Sequence, residues 1–181
     1  MQPPTSLKLL HGFVGMVNYY RDMWPHRSDI LAPLISKTGA PKKGEMTSPF
    51  NWTTEMQKAF DKMKALMAAD VFCAYPNHNK PFLIFMDASN YQLGACIMQD
   101  DFPVAYYSKM LNHTQMNYAT IDKEPLCVIA TLREFHSMLL GAELHIHSYH
   151  KNILNVGDSS ERHLRWISYV DCWKSTQRVR A

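Results

Sequence analysis

No stretch of this chain approaches the roughly 20 consecutive apolar residues that a helix needs to cross a bilayer, so no membrane span is expected. The N-terminus, MQPPTSLKLLHG, lacks the basic-then-apolar layout of a secretory signal. Cysteine is scarce, and Cys73, Cys96, Cys127 and Cys172 contain no CxxC spacing. They read as buried reduced thiols rather than disulfides or metal ligands, which favours an intracellular, reducing compartment. Charge is also sparse, at 19% of residues and a net +3. It is unevenly placed: residues 1–46 hold Lys8, Arg21, Arg27, Lys37, Lys42 and Lys43 against Asp22, Asp29 and Glu45, and the remainder is about neutral. A modestly basic N-terminal part suits contact with a phosphate backbone, although many ordinary domains share it. What is plentiful is apolar side chain, 46% of 181 residues. That composition is globular, and the length gives one good core plus a small appended subdomain. Twelve methionines suit a plastic core or contact surface.

The periodicity divides the chain into a helical part and an α/β part. Leu7, Leu10, Val14 and Val17 recur at helical spacing, so a helix is predicted from Ser6 to Tyr20, capped by Thr5 or Ser6 and stopped by Trp24-Pro25. The Asn18-Tyr19-Tyr20 aromatics could serve as a stacking platform, but aromatics at a helix end more often pack into a core. A second short helix is predicted over Asp29–Ile35 with Ser28 as its cap, then a linker from Gly39 to Pro49. Thr54-Glu55-Met56-Gln57 fits a capping box, opening a third helix striped by Met56, Phe60, Met63 and Met67. A connector at 71–79 leads to strands at 82–87, 93–99 and 104–108, an antiparallel meander. Asp100-Asp101 is read as its hairpin turn rather than a metal site. A helical pattern then runs from Tyr118 to Leu140, closed by Gly141. Proline is tolerated only in a first turn, so the regular helix is expected to start near Glu124, just before Pro125. Leu144 to Ser148 forms a fourth strand, and short helices are expected from Tyr149 and from Arg162.

The stretch that organises the rest is KPFLIFMDASNYQLGACIMQ, Lys80 to Gln99. An apolar strand has no packing use for a carboxylate at its end, because an unpaired buried charge is very costly. Asp87 is therefore either solvated at the strand tip or held by a cation. DASNYQLGACIMQ, followed by PVAYYSKML and QMNYATIDKE, resembles the opening of the ribonuclease H domain of gypsy-type long-terminal-repeat retrotransposon polyproteins. LHGFVGMVNYYRDMWPHRSDILAPL is similar to the end of their reverse transcriptase, and PFNWTTEMQKAFDKMKALM to the piece joining the two. The resemblance runs from about Leu7 to Trp166. It implies a thumb or connection-like helical segment at 1–75. After it comes a ribonuclease H-like α/β domain at 76–181, with a mixed sheet (the three-stranded meander plus a further strand) flanked by helices.

The chemistry implied by the resemblance is two-metal hydrolysis of RNA in RNA–DNA hybrids, with Mg²⁺, or alternatively Mn²⁺, held by carboxylates. The first of the family's four acids matches Asp87 and the second Glu124, in DKE, with neighbouring Asp122 off the motif. The third is replaced: Ser148-Tyr149-His150 stands where threonine-aspartate-histidine is expected, and a phenol neutral at pH 7 is a poor magnesium ligand. The fourth has no counterpart before Ala181, and Asp158 and Glu161 fall at no matching position, so the domain is expected to be C-terminally incomplete. The polymerase palm would precede residue 1, so no polymerase activity is expected. His145 and His147 share a strand face with Tyr149 but have no cysteine or acid in register, which disfavours zinc. Two readings stand: a retroelement nuclease with impaired or lost activity, or a domesticated, non-catalytic subunit that binds hybrid or protein partners in a larger assembly. A decayed element copy is the bland third.

Overall fold

The computed structural model describes residues 1–38, 50–69, 73–147, 164–166, 168–170, 173 and 179–180. The linker expected at Gly39–Pro49, the helix expected from Tyr149, and the candidates Tyr149, Asp158 and Glu161 lie outside the described residues. Three helices come first: α1 (Leu7–Tyr19), α2 (Arg27–Ile35) and α3 (Thr54–Ala68). Ser6 caps α1 as predicted, its hydroxyl accepting from the Leu9 amide at 3.3 Å. The α3 cap falls one residue before the predicted box. Thr53 Oγ1 accepts from the Met56 amide, while Gln57 instead takes the Trp52 indole N–H at 2.7 Å. Leu10, Val17, Leu31, Leu34, Met56, Phe60 and Met63 form the buried centre of this part, with Phe13 and Phe60 rings 4.8 Å apart. The helix-end aromatics do not join it, since Tyr19 is 81% and Tyr20 49% exposed.

A mixed five-stranded sheet follows, in the order β3-β2-β1-β4-β5. β1 (Phe82–Ala88), β2 (Gln92–Gln99) and β3 (Phe102–Met110) make the antiparallel meander. β4 (Leu144–His147) runs parallel to β1, and β5 (Val179–Arg180) parallel to β4. Asp100 and Asp101 both take positive φ, 50° and 65°, as a two-residue hairpin turn requires. The β2–β3 register slips between Ile97 and Met98, and the extra residue leaves Val104 and Ala105 both buried.

α4 (His113–Met116), α5 (Thr120–Glu134) and α6 (His136–Leu139) connect β3 to β4. The long predicted helix is thus broken at Phe135, and α5 begins four residues before Glu124. Pro125 stands inside it. The donor it lacks would have served the carbonyl of Ile121, a residue 62% exposed, where a missing bond costs less than in the core. Gly141 ends the segment with φ 83°. Cys127, Val128, Ile129 and Leu132 of α5 close over Phe82, Ile84, Met86, Ala95 and Ile97 of the sheet.

The helical part is fastened to the sheet at Ser108 of β3. Its hydroxyl accepts from the Ser28 amide (2.9 Å) and the Gln92 side-chain amide (3.1 Å), so its proton is left for the Ser28 hydroxyl at 2.6 Å. Arg27 adds a bond to the Ser108 carbonyl, and Arg21 pairs with Glu134 of α5. Ser28 is therefore not the α2 cap that the sequence suggests; His26, with φ 51°, occupies that position without a side-chain bond. Ser28, Gln92 and Ser108 are all buried. Ser108→Ala strands two buried donors and is expected to cost about 1–3 kcal/mol, read as a lower urea midpoint at unchanged slope. A change below about 0.5 kcal/mol would show that this junction contributes nothing measurable.

Candidate functional site

Period-two alternation along β1 places Phe82, Ile84 and Met86 against α5 and turns Phe85 and Asp87 to the opposite face. Asp87 pairs in register with Gly94 of β2 and is exposed near the strand end. A Cβ on Gly94 would meet the Asp87 carbonyl at 3.8 Å, an ordinary contact, so the position does not demand glycine. Asp87 also lines a groove of about 420 Å³ between the start of α2 and the open sheet face, with His26, Asp29, Phe85, Tyr91 and Tyr106 among its walls.

Glu124 arrives from α5, half-buried, and is not among the residues lining that groove. What relates it to Asp87 is Cys127, one helical turn further along. The Cys127 thiol sits 3.3 Å from the Gly94 carbonyl and 3.7 Å from that of Asp87. Burial pushes it from 9.0 up to about 12, against the lowering effect of neighbouring Thr131 and the Gly94 carbonyl, with smaller raising contributions from Asp87 and Glu124. Asp122 also belongs to the first turn of α5.

His145 hydrogen-bonds the Glu143 carboxylate at 3.0 Å, and His147 stacks on Phe85 with ring centroids 4.8 Å apart. Among the described residues no group of three His, Cys, Asp or Glu side chains could hold a metal ion. Cys73, Cys96 and Cys127 are free thiols, but only Cys127 is fully buried; Cys73 and Cys96 are half-buried. Burial, with Cys73 nearby, raises Cys96 to about 11. No helix among the described residues is long and apolar enough to cross a membrane.

A model of the family described as the RNase H-like domain found in reverse transcriptase matches residues 52–146, more than half of the chain. The chain belongs to this family. It is similar to the retrovirus-related Pol polyprotein from transposon opus of Drosophila melanogaster, at 37% identity over 151 residues, covering 78% of this chain and 15% of the relative. The Pol polyprotein from transposon 297 of the same organism is 35% identical over 148 residues, covering 82% of this chain and 14% of the relative. The chain thus spans about a seventh of the length of these relatives. The foamy viral protease-reverse transcriptase has the same fold. Its complex with double-stranded DNA superposes with a TM-score of 0.80 at 20% identity, over 99% of this chain and 32% of that one. Its RNA/DNA hybrid complex gives 0.76 at 19% identity, over 98% and 25%. The RNase H-like sheet inferred from the sequence is therefore present.

Two elements of this site were missed in the sequence. From the sequence Cys127 reads only as a buried thiol, and Lys123 carries no role of its own within DKE. Both fall on the buried phase of α5 with Thr131, and a lysine on an apolar stripe is the signal that could have drawn attention.

The thiol gives a test of this geometry. An unfolded thiol ionises near its ordinary value, whereas folded Cys127 holds its proton to about pH 12. The stability it contributes is complete below about pH 9 and lost as pH rises from there to about 12. The urea midpoint of the chain is expected to fall over that interval, and Cys127→Ala to flatten the fall. An unaltered slope in the variant would place the thiol in water.

Proposed function

We propose that the chain is a gypsy-type long-terminal-repeat retrotransposon segment. In this reading a thumb or connection-like helical part, 1–75, leads into a ribonuclease H-like domain, 76–181, whose nuclease chemistry is impaired. The substrate class is the RNA strand of an RNA–DNA hybrid. The observation that carries this reading is the placement of Asp87 at an exposed strand end and of Glu124 on the helix that packs over the same hairpin, at the two positions where the family motifs place acids.

The donor set favours one hard divalent ion rather than two. Mg²⁺, or Mn²⁺ in its place, is commonly held by one or two carboxylates and keeps several waters, which suits an exposed Asp87 and a half-buried Glu124. Two such ions bring four positive charges against two carboxylates, and the Tyr149 phenol adds none at pH 7. A bound ion would supply Lewis-acid stabilisation of the departing oxygen and a more acidic water. The chain's own part is to orient that ion: Asp87 from the strand end and Glu124 from the helix.

A second reading, a non-catalytic structural or interaction subunit of a larger assembly, is favoured by Tyr149 itself. That residue replaces a ligand by a group that neither binds Mg²⁺ well nor repels a hybrid phosphate. Cleavage of a labelled RNA–DNA hybrid in Mg²⁺, then Mn²⁺, separates the two. The unmodified chain is expected to cut weakly or not at all, Tyr149→Asp to raise cleavage by on the order of 10–100-fold, and Asp87→Asn to remove whatever remains. Efficient cleavage by the unmodified chain, lost in Asp87→Asn, would overturn the impairment. Hybrid binding with no cleavage by either the unmodified chain or Tyr149→Asp would favour the binding subunit.

A further inference from the structure

We infer that Lys123 is a positioning residue: its ammonium locks the β1–β2 turn onto α5 and so sets Glu124 relative to Asp87. The inference rests on the reading of those two carboxylates as a cation-binding pair. Lys123 is only 3% exposed. Lysine is almost never fully buried without a partner, because a desolvated ammonium is costly. Its Nζ donates to the Asn90 side-chain carbonyl at 3.0 Å, across 33 positions of sequence. Asn90 lies in the β1–β2 turn three residues after Asp87, and Lys123 immediately precedes Glu124. One charge-assisted hydrogen bond thus joins the two elements that carry the two acids.

The placement has a second anchor. Cys127 holds the same end of the hairpin through the Gly94 carbonyl at 3.3 Å, so Glu124 stands between two points at which α5 grips β1 and β2. The turn's own shape is maintained differently. The Ser89 amide donates to the Gln92 carbonyl at 2.9 Å, and the Ser89 hydroxyl accepts from the Gln92 amide at 3.0 Å. Those bonds fix the turn internally and say nothing about where it sits against the helix. An apolar side chain at 123 would fill the same space, yet it could not make a directional bond to an exposed turn. A lysine on the buried stripe of α5 supplies that bond at the one place where it constrains both carboxylates.

The test uses the full chain with Mn²⁺ as probe, its binding followed by titration calorimetry, and with amide hydrogen exchange over residues 88–92. Asn90→Ala removes the acceptor from an exposed position and leaves the core intact; Lys123→Met removes the donor at similar volume. Asp87→Asn marks the site. Both tether variants are expected to weaken Mn²⁺ binding by on the order of tenfold, as for other groups that orient a ligand. Both are also expected to speed exchange in the turn by a similar factor. Unchanged exchange overturns the tether. Faster exchange with unaltered Mn²⁺ affinity overturns the positioning role and leaves a structural staple. An unmodified chain that takes up no Mn²⁺ sensitive to Asp87→Asn sinks the cation-pair reading itself, and the positioning role with it.

Discussion

β1 can bury only every second side chain, and that constraint governs the domain. It lies between β2 and β4, with α5 closing over Phe82, Ile84 and Met86. These three lie in the buried core with Ile97, Leu132 and Ile129, and truncating any of them would cost several kcal/mol. With one face committed to packing, the intervening residues must look the other way. Phe85 becomes a half-exposed platform for His147, and Asp87 reaches solvent where the strand ends. A one-residue slip of register would bury the carboxylate and expose the core. The position of the acid is therefore enforced by hydrophobic burial elsewhere on the same strand.

The two parts of the chain are joined by a different kind of force. Each has its own apolar cluster, and the seam at Ser28, Gln92 and Ser108 is made of short, buried polar groups. Hydrogen bonds of this kind add little net attraction but penalise any arrangement that leaves them unmade. The seam thus specifies an orientation more than it supplies affinity. It also forms one wall of the groove that contains Asp87, because α2 begins there.

Much of the architecture was legible in the sequence because it follows from periodicity. The three meander strands, the Asp100-Asp101 turn, the Met56–Phe60–Met63 stripe and the Gly141 stop all appear where alternation, helical spacing and backbone freedom put them. The errors occur where a local preference was outweighed by a contact distant in sequence. Ser28 looks like a helix cap and is instead consumed by Ser108, 80 positions away. Pro125 looks like a first-turn residue, but the amphipathic face of α5 continues through it to Lys123. Tyr19 and Tyr20 look like core and are exposed, because the apolar stripe of α1 ends at Val17. Asp87 and Glu124 came from motif resemblance. Their shared neighbour Cys127 could not have, since it depends on how α5 lies against the hairpin.

β3, nine residues long, forms one outer edge of the sheet, and the backbone groups such a strand turns outward would ordinarily invite another chain to add a strand. Here that edge is blunted along its length. Pro103 presents no N–H and gives its carbonyl to Ala74, the bulge at Val104 twists the strand, α2 bonds to Ser108, and Lys109 adds a charge. The helical segment thus has a protective effect beyond its own packing. By occupying the sheet margin it deters edge-to-edge aggregation, so separating residues 1–75 from the rest would uncover a template for β-addition.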